Sequence, residues 1–545
     1  MEVHEHFTRI DWIVVFGYLA LTTWVGHMMR GKQGTIQDFF LGGRSIPWQA
    51  VSGSIIATEI SGVTFIGVPG MVFALAGNFT YLQWALGSVI ARVLVGYFFV
   101  RVYYEQEIYS PYDYMGNRLG VSVKRLATII FSIGSILGQS VRVLVAALAL
   151  KVVTGWEFYQ CIWVIGVFAI VWTLMGGMRT VIWTDVMQFA LFTIGGVMAL
   201  FWIVSQIDGG WATFKEVGGN VQEAGDYGKF TLLNLTTDPN VGFTLWVAII
   251  AVPFLNLNSF GVDQLNAQRM FCCKSAGEAR KAIIWSSIGQ FLTLLMLLVG
   301  VALFVHYSVN EPSLAEQALF KQSKDYVFPT WITTTLPVGL RGLIIAAIFA
   351  AAISSLDSIL AALSQTTLAL FIDPSLAVKN GENPAFLLRI SRYLVVIWGI
   401  ILSLCAIGLD ELRGNINMVD LAFGMIAYTT GPLLGLFLAA LLADRRKSSA
   451  RGLFIGCIIS VFMVLLVRVD IYNILINLSW TSADKLFDYN WLPIEVTLLP
   501  IEVTWLPLPI EVTSSKISPI IHYAWMWPVT CLITLGAGLL FPVKK

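Results

Sequence analysis

Charge is what this chain has least of. Only 12% of its 545 residues are Asp, Glu, Lys or Arg, while 57% are hydrophobic and mean hydropathy is +0.76. Soluble globular domains carry about 25% charged residues, so half that share excludes an ordinary water-soluble fold and points to a membrane protein. The charges nearly cancel, leaving +1, and no basic stripe is present, so nucleic acid is not an expected partner. Cysteine frameworks are missing as well. Cys161, Cys272, Cys273, Cys405, Cys457 and Cys531 show no C-x-x-C or Cys/His spacing, so neither a disulfide scaffold nor a zinc site is expected. His27, His306 and His522 have no acidic partner at catalytic spacing, which argues against a membrane enzyme. The opening "MEVHEHFTRID" is mixed and polar and lacks a cleavable signal pattern.

Long apolar runs are what the chain has instead. A helix needs about 20 mostly apolar residues to cross a bilayer. Thirteen such spans can be read near 11–29, 47–75, 79–104, 123–153, 158–175, 180–206, 242–268, 280–307, 335–372, 386–409, 418–443, 450–469 and 521–541. Lys and Arg concentrate in one set of alternate loops, among them Arg30, Lys32, Arg118, Lys124, Arg125, Arg445 and Arg446. By the positive-inside rule those loops are cytoplasmic, which puts the N-terminus outside and the C-terminus inside. The loop of 207–241 carries five acids against Lys215 and Lys229 and falls on the external side. "PIEVT" occurs at 493–497, 500–504 and 509–513 within an external loop of 470–520. Its prolines argue against regular structure there, and it reads as a functionally idle duplication.

Ionisable groups inside spans are costly and usually functional. This chain has Glu59, Arg92, Arg142, Asp185, Asp263 and Asp357 at such positions. Arg92 and Lys151 read as packing or snorkelling cations, and Glu59 and Arg142 as a candidate pair. Around Glu59 stand Thr58, Ser61, Gly62 and Thr64, a combination that weakens a continuous helix. An unwound helix frees backbone carbonyls, hard oxygen ligands suited to a cation such as Na⁺. In "AAAISSLDS", 350–358, Ser354 and Ser358 share one helix face beside Ser355 and Asp357.

At these residues the chain resembles the sodium:solute symporter family, with its sodium/galactose, sodium/sialic acid and sodium/proline transporters. The marks are "DFFLGGRSIPWQAV" (38–51), "IIATEIS" (55–61), "GGMRTVIWTDVMQ" (176–188), "NLNSFGVDQLNAQR" (256–269) and "LPVGLRGLIIAAIFAAAISSLDS" (336–358). The resemblance implies an all-α polytopic membrane protein of the leucine-transporter type, built from two inverted five-helix repeats. It makes 11–29 a leading helix, 47–206 and 242–443 the repeats, and 450–541 two trailing helices. It implies a main sodium site from Ala57, Ile60, Ala351, Ser354 and Ser355, and a possible second one from Asp185, Asp357 and Ser358 with Ser354. Solute residues would be Glu59, Ser61, Thr64, Gln83, Arg142, Asn256, Ser259 and Asp263. Ser259 stands where sugar-binding members place an aromatic gate, so Phe260 or another ring must serve. A Glu59–Arg142 pair would neutralise the arginine and favour a sugar or polyol over an acid. The implied activity is sodium-coupled import of a sugar, polyol or sugar acid across the cell (inner) membrane. A carboxylate or amino acid as solute, and a transporter-like sensor, are the alternatives. Sodium is the implied coupling ion, the lipid bilayer the surroundings, and no obligate protein partner is implied.

Overall fold

The computed structural model describes residues 3–29, 41–106, 108, 110–174, 178–371, 384–413, 416–443, 448–468, 494–502, 511–519 and 521–541. For 350–352, 354, 371, 384–385, 387–388, 412–413, 494–502 and 511–519, only the backbone is described. The described residues are mainly helical, with one antiparallel strand pair among them. The helices that matter below are α1 (Arg9–Met29), α2 (Trp48–Glu59), α3 (Val63–Phe73), α4 (Phe79–Glu105), α5 (Val121–Thr154) and α6 (Phe158–Thr173). They continue with α7 (Met178–Ser205), α8 (Val247–Val262), α9 (Gln264–Phe271) and α10 (Ala276–Val309). Then come α11 (Leu340–Phe371), α12 (Pro384–Arg413), α13 (Met418–Leu441), α14 (Ala450–Val467) and α15 (Met526–Leu540).

Among the described residues nine helices are long and apolar enough to cross a membrane. Two further spans are bent pairs: α2 with α3 at 54°, and α8 with α9 at 53°. Two shorter apolar stretches, Phe158–Thr173 and Leu340–Phe349, fall on the remaining expected positions. Exposed Ile, Phe, Val and Trp side chains along α1, α4 and α6 are what a lipid-facing surface requires, since lipid does not penalise apolar exposure as water does. The polar groups are turned inward.

Helix α5 lies in the interior, packed against α6, α11, α12 and α13, and ends where Gly155 adopts φ +69 and returns its N–H to Lys151 O. Such left-handed C-terminal glycines satisfy carbonyls a helix end would orphan. Helices α4 and α8 approach so closely at Gly87 that a Cβ there would lie 2.2 Å from Ala248 O. All six cysteines are free. The strand pair is a departure from the sequence reading: Ile494–Glu502 pairs with Glu511–Pro519, Val496 opposite Ile517 and Pro500 opposite Thr513. Two strands have only edges, and an edge leaves room for proline on its unpaired side.

Candidate functional site

The first bend begins where α2 runs out of helical partners. Ile60 takes ψ +80, its N–H bonds Ile56 O at 2.8 Å, and Ser61 N–H turns back to Glu59 O at 3.0 Å. Thr64 N–H bonds Ser61 O at 3.0 Å. In an unbroken helix Ser61 and Thr64 would instead donate to Ala57 and Ile60. Their redirection releases those two carbonyls, the pair the sequence pointed to. Helix α11 packs against α2 and carries Ser355, which is buried. It also runs through Ala351 and Ser354, whose side chains lie outside the described residues.

Beside the bend is a cavity of about 220 Å³. Seven of the eight expected solute residues line it: Glu59, Ser61, Thr64, Arg142, Asn256, Ser259 and Asp263. Gln83 does not. Its amide donates to Thr80 O and Phe243 O and accepts from Asn234 N–H at 3.3 Å, so it fastens the 231–244 segment to the start of α4. Asn256 is at the wall but already engaged, donating to Val252 O at 3.1 Å and accepting from Ser88 Oγ at 3.3 Å. Asp263 closes the break between α8 and α9, its Oδ1 accepting Leu265 N–H at 2.8 Å as an N-terminal cap. Phe260 does face the cavity. At one end of it Trp84 packs edge-on against Phe423, centroids 5.1 Å apart, with Tyr81 beside both.

The expected Glu59–Arg142 pair does not form. Glu59 bonds Arg92 instead, and its Oε1 accepts Gln290 Nε2 at 2.9 Å. Arg92 is fully buried and its guanidinium lies 4.3 Å from the Phe260 ring centroid, an attractive cation–π geometry. It is therefore no snorkelling cation: it is the buried counter-ion that makes Glu59 tolerable. Arg142, by contrast, has Nη1 buried without a hydrogen-bond partner, and no carboxylate lies within ion-pair distance of it among the described residues.

The second cluster differs from the sequence expectation in content. Asp185 and Ser358, expected to help hold a second sodium, surround the Arg269 guanidinium. Nε donates to Ser54 Oγ at 2.9 Å, Nη1 to Leu265 O at 2.7 Å, and Nη2 to both Asp185 Oδ2 and Ser358 Oγ at 3.1 Å. Ser54 Oγ donates to Asp185 Oδ2 at 2.5 Å, and Ser358 Oγ donates to Asp357 Oδ1 at 3.1 Å. The positive charge at this point is supplied by the protein. Arg269 ends the quoted "NLNSFGVDQLNAQR" motif, just past the span expected near 242–268, and its side-chain partners lie 84 to 215 residues away, beyond the reach of local reading.

The model of the sodium:solute symporter family matches residues 39–460. The chain is 30% identical over 469 residues to the sodium/sialic acid symporter SiaT of Proteus mirabilis, covering 86% of this chain and 91% of that one. It is 29% identical over 492 residues to a sodium/glucose cotransporter of Vibrio parahaemolyticus, covering 86% of each. Among solved structures, a substrate-bound, outward-open Na⁺-coupled sialic acid symporter superposes with a TM-score of 0.76 at 25% identity, covering 99% of both chains. A bent first helix with two freed carbonyls, a second bent helix and a polar cavity between them agree with that match: the chain is a multi-pass membrane protein and belongs to the sodium:solute symporter family.

Proposed function

We propose that this symporter imports a small hydroxylated carboxylate of the sugar-acid class together with Na⁺. The observation that carries the reading is Arg142, which lines the cavity and whose Nη1 is buried with no hydrogen-bond partner. With Glu59 committed to Arg92 and Gln290, the carboxylate that acts on Arg142 is that of Asp263, which caps α9 and forms no direct ion pair with it. A carboxylate is the natural complement, since guanidinium binds it through paired charge-assisted hydrogen bonds. SiaT of Proteus mirabilis is named as a sodium/sialic acid symporter, which accords with an acidic solute.

In this reading Na⁺ is held by the Ala57 and Ile60 carbonyls with Ser354, Ser355 and Ala351 of α11. The ion ties α2 to α11 and favours the state open to the outside, where the N-terminus lies. Solute on Arg142 then permits closure, and low internal sodium releases the ion. The inward Na⁺ gradient drives uptake, and the difference in affinity between the two states couples ion to solute. No bond is made or broken, and the chain is no enzyme. In proteoliposomes, N-acetylneuraminate uptake should require an inward Na⁺ gradient and collapse in Ser355→Ala. Equal uptake with K⁺ in place of Na⁺ would sink the coupling, and unchanged Na⁺ dependence in Ser355→Ala would remove that serine from the site.

A further inference from the structure

Three amides that the sequence did not single out stand at the same cavity: Gln139 on α5, Asn258 on α8 and Asn266 on α9. Gln139 is 9% exposed, Asn258 6% and Asn266 9%. Each has a side-chain oxygen buried without a hydrogen-bond partner. Buried polar atoms are almost always bonded, so each exception needs a reason. Here three exceptions share one cavity with the unpartnered Nη1 of Arg142. For Asn266 the orientation is set, because its Nδ2 donates to Ser259 O at 2.8 Å and leaves Oδ1 free. The contrast with Asn256 and Gln83 is direct, since their amides are already bonded to the protein.

We infer that Gln139, Asn258 and Asn266 read the hydroxyl groups of the solute while Arg142 holds its carboxylate. This rests on the carboxylate reading above and sharpens it. Unfilled amides cost free energy when dry, and these oxygens are closed to solvent in this structure, so their need is met only by a solute or by water that enters between them. A solute that displaces such water binds well only if it returns the hydrogen bonds. Sugar hydroxyls do so, as each both donates and accepts, whereas a short apolar chain leaves the amides unpaired. Three amide oxygens could also be read as a cation cage. Gln139 sits one helical turn before Arg142 and shares its face, so a second cation there would stand beside the Arg142 guanidinium. The geometry favours hydroxyls.

The test measures dissociation constants of the purified full-length protein in saturating Na⁺, with N-acetylneuraminate and with propionate, which has a carboxylate and no hydroxyl. Ligand-free melting temperature is recorded for every variant. Gln139→Met and Asn258→Leu should each weaken N-acetylneuraminate about tenfold and leave propionate within about twofold. Gln139→Asn, which keeps the amide but shortens its reach, should lose part of the N-acetylneuraminate affinity and none of the propionate affinity. Unchanged N-acetylneuraminate binding, or equal loss of both ligands, would overturn the inference. So would a shift in Na⁺ half-saturation measured without solute, which would make the amides ion ligands. Propionate binding that survives Arg142→Met would instead overturn the carboxylate clamp itself.

Discussion

Arg269 is fully buried among the helices and Arg142 lines the cavity, and their surroundings are opposite. Arg269 has donors placed on Ser54, Leu265, Asp185 and Ser358, drawn from α2, α9, α7 and α11. Arg142 leaves Nη1 unpaired at a cavity wall lined by Gln139, Asn258 and Asn266, whose oxygens are also unpaired. Both positions cost free energy in a low-dielectric interior. One site has recovered that cost within the protein and so works as a cross-link between helices. The other has not, and the proposed ligand, an anion carrying several hydroxyls, is one that would supply what it lacks. Unsatisfied groups alone do not mark a binding arginine, since Arg92 also has Nε and Nη1 buried without partners; Arg142 differs in lining the cavity and in holding no direct ion pair among the described residues.

That comparison breaks most readily at Asp185. Asp185→Asn removes the carboxylate facing Arg269 and leaves a buried charge uncompensated, which costs about 3–5 kcal/mol. Thermal unfolding in detergent should show a large loss of stability, with solute affinity in the surviving folded fraction nearly unchanged. A small stability change would mean the cluster is not a cross-link. Glu59→Gln tests the intermediate case, because Glu59 faces the cavity while its partner Arg92 is fully buried. Loss of that charge-assisted bond should cost about 2 kcal/mol and loosen Phe260, on which Arg92 stacks. Equal stability of the variant and wild type would show that Arg92 draws its support from elsewhere.

The smallest effect lies outside the spans, at Lys229. Its Nζ donates to Val72 O at 2.9 Å, Ala74 O at 2.5 Å and Leu75 O at 3.0 Å, capping α3. Burial lowers its pKa from 10.5 to about 8. The unfolded chain therefore binds more protons between pH 8 and 10.5, and the contribution of this group to stability rises with pH across that window. Relative to Lys229→Met, the wild type should gain about 1 kcal/mol between pH 7 and 9. A pH-independent difference between the two would remove the depressed pKa.

Much of the bundle was legible because apolar runs and broken-helix chemistry are local signals. "ATEISG" announced the first bend through its small and polar residues, while Ala57 and Ile60 as the carbonyls to watch came from the resemblance to the family. Pairings were not local. Glu59 and Arg92 are 33 residues apart, and sequence offered Arg142 as an equally good partner. Position in a motif likewise could not reveal that Ser88 occupies Asn256, or that Gln83 is bonded to the 231–244 segment. Gln139 did carry a signal, lying three residues before Arg142 in "GQSVR", one helical turn away. What distinguished it was the absence of a partner, which only the packed structure exhibits.

The central claim is that Arg142 is open to a solute carboxylate. The most direct measurement is the shift in melting temperature caused by N-acetylneuraminate, with and without Na⁺, in the wild type and in Arg142→Met. Ligand that binds the folded state raises its stability. The account predicts a shift in the wild type only when Na⁺ is present, and none in Arg142→Met, whose ligand-free melting temperature stays near that of the wild type. An equal shift in Arg142→Met would contradict it.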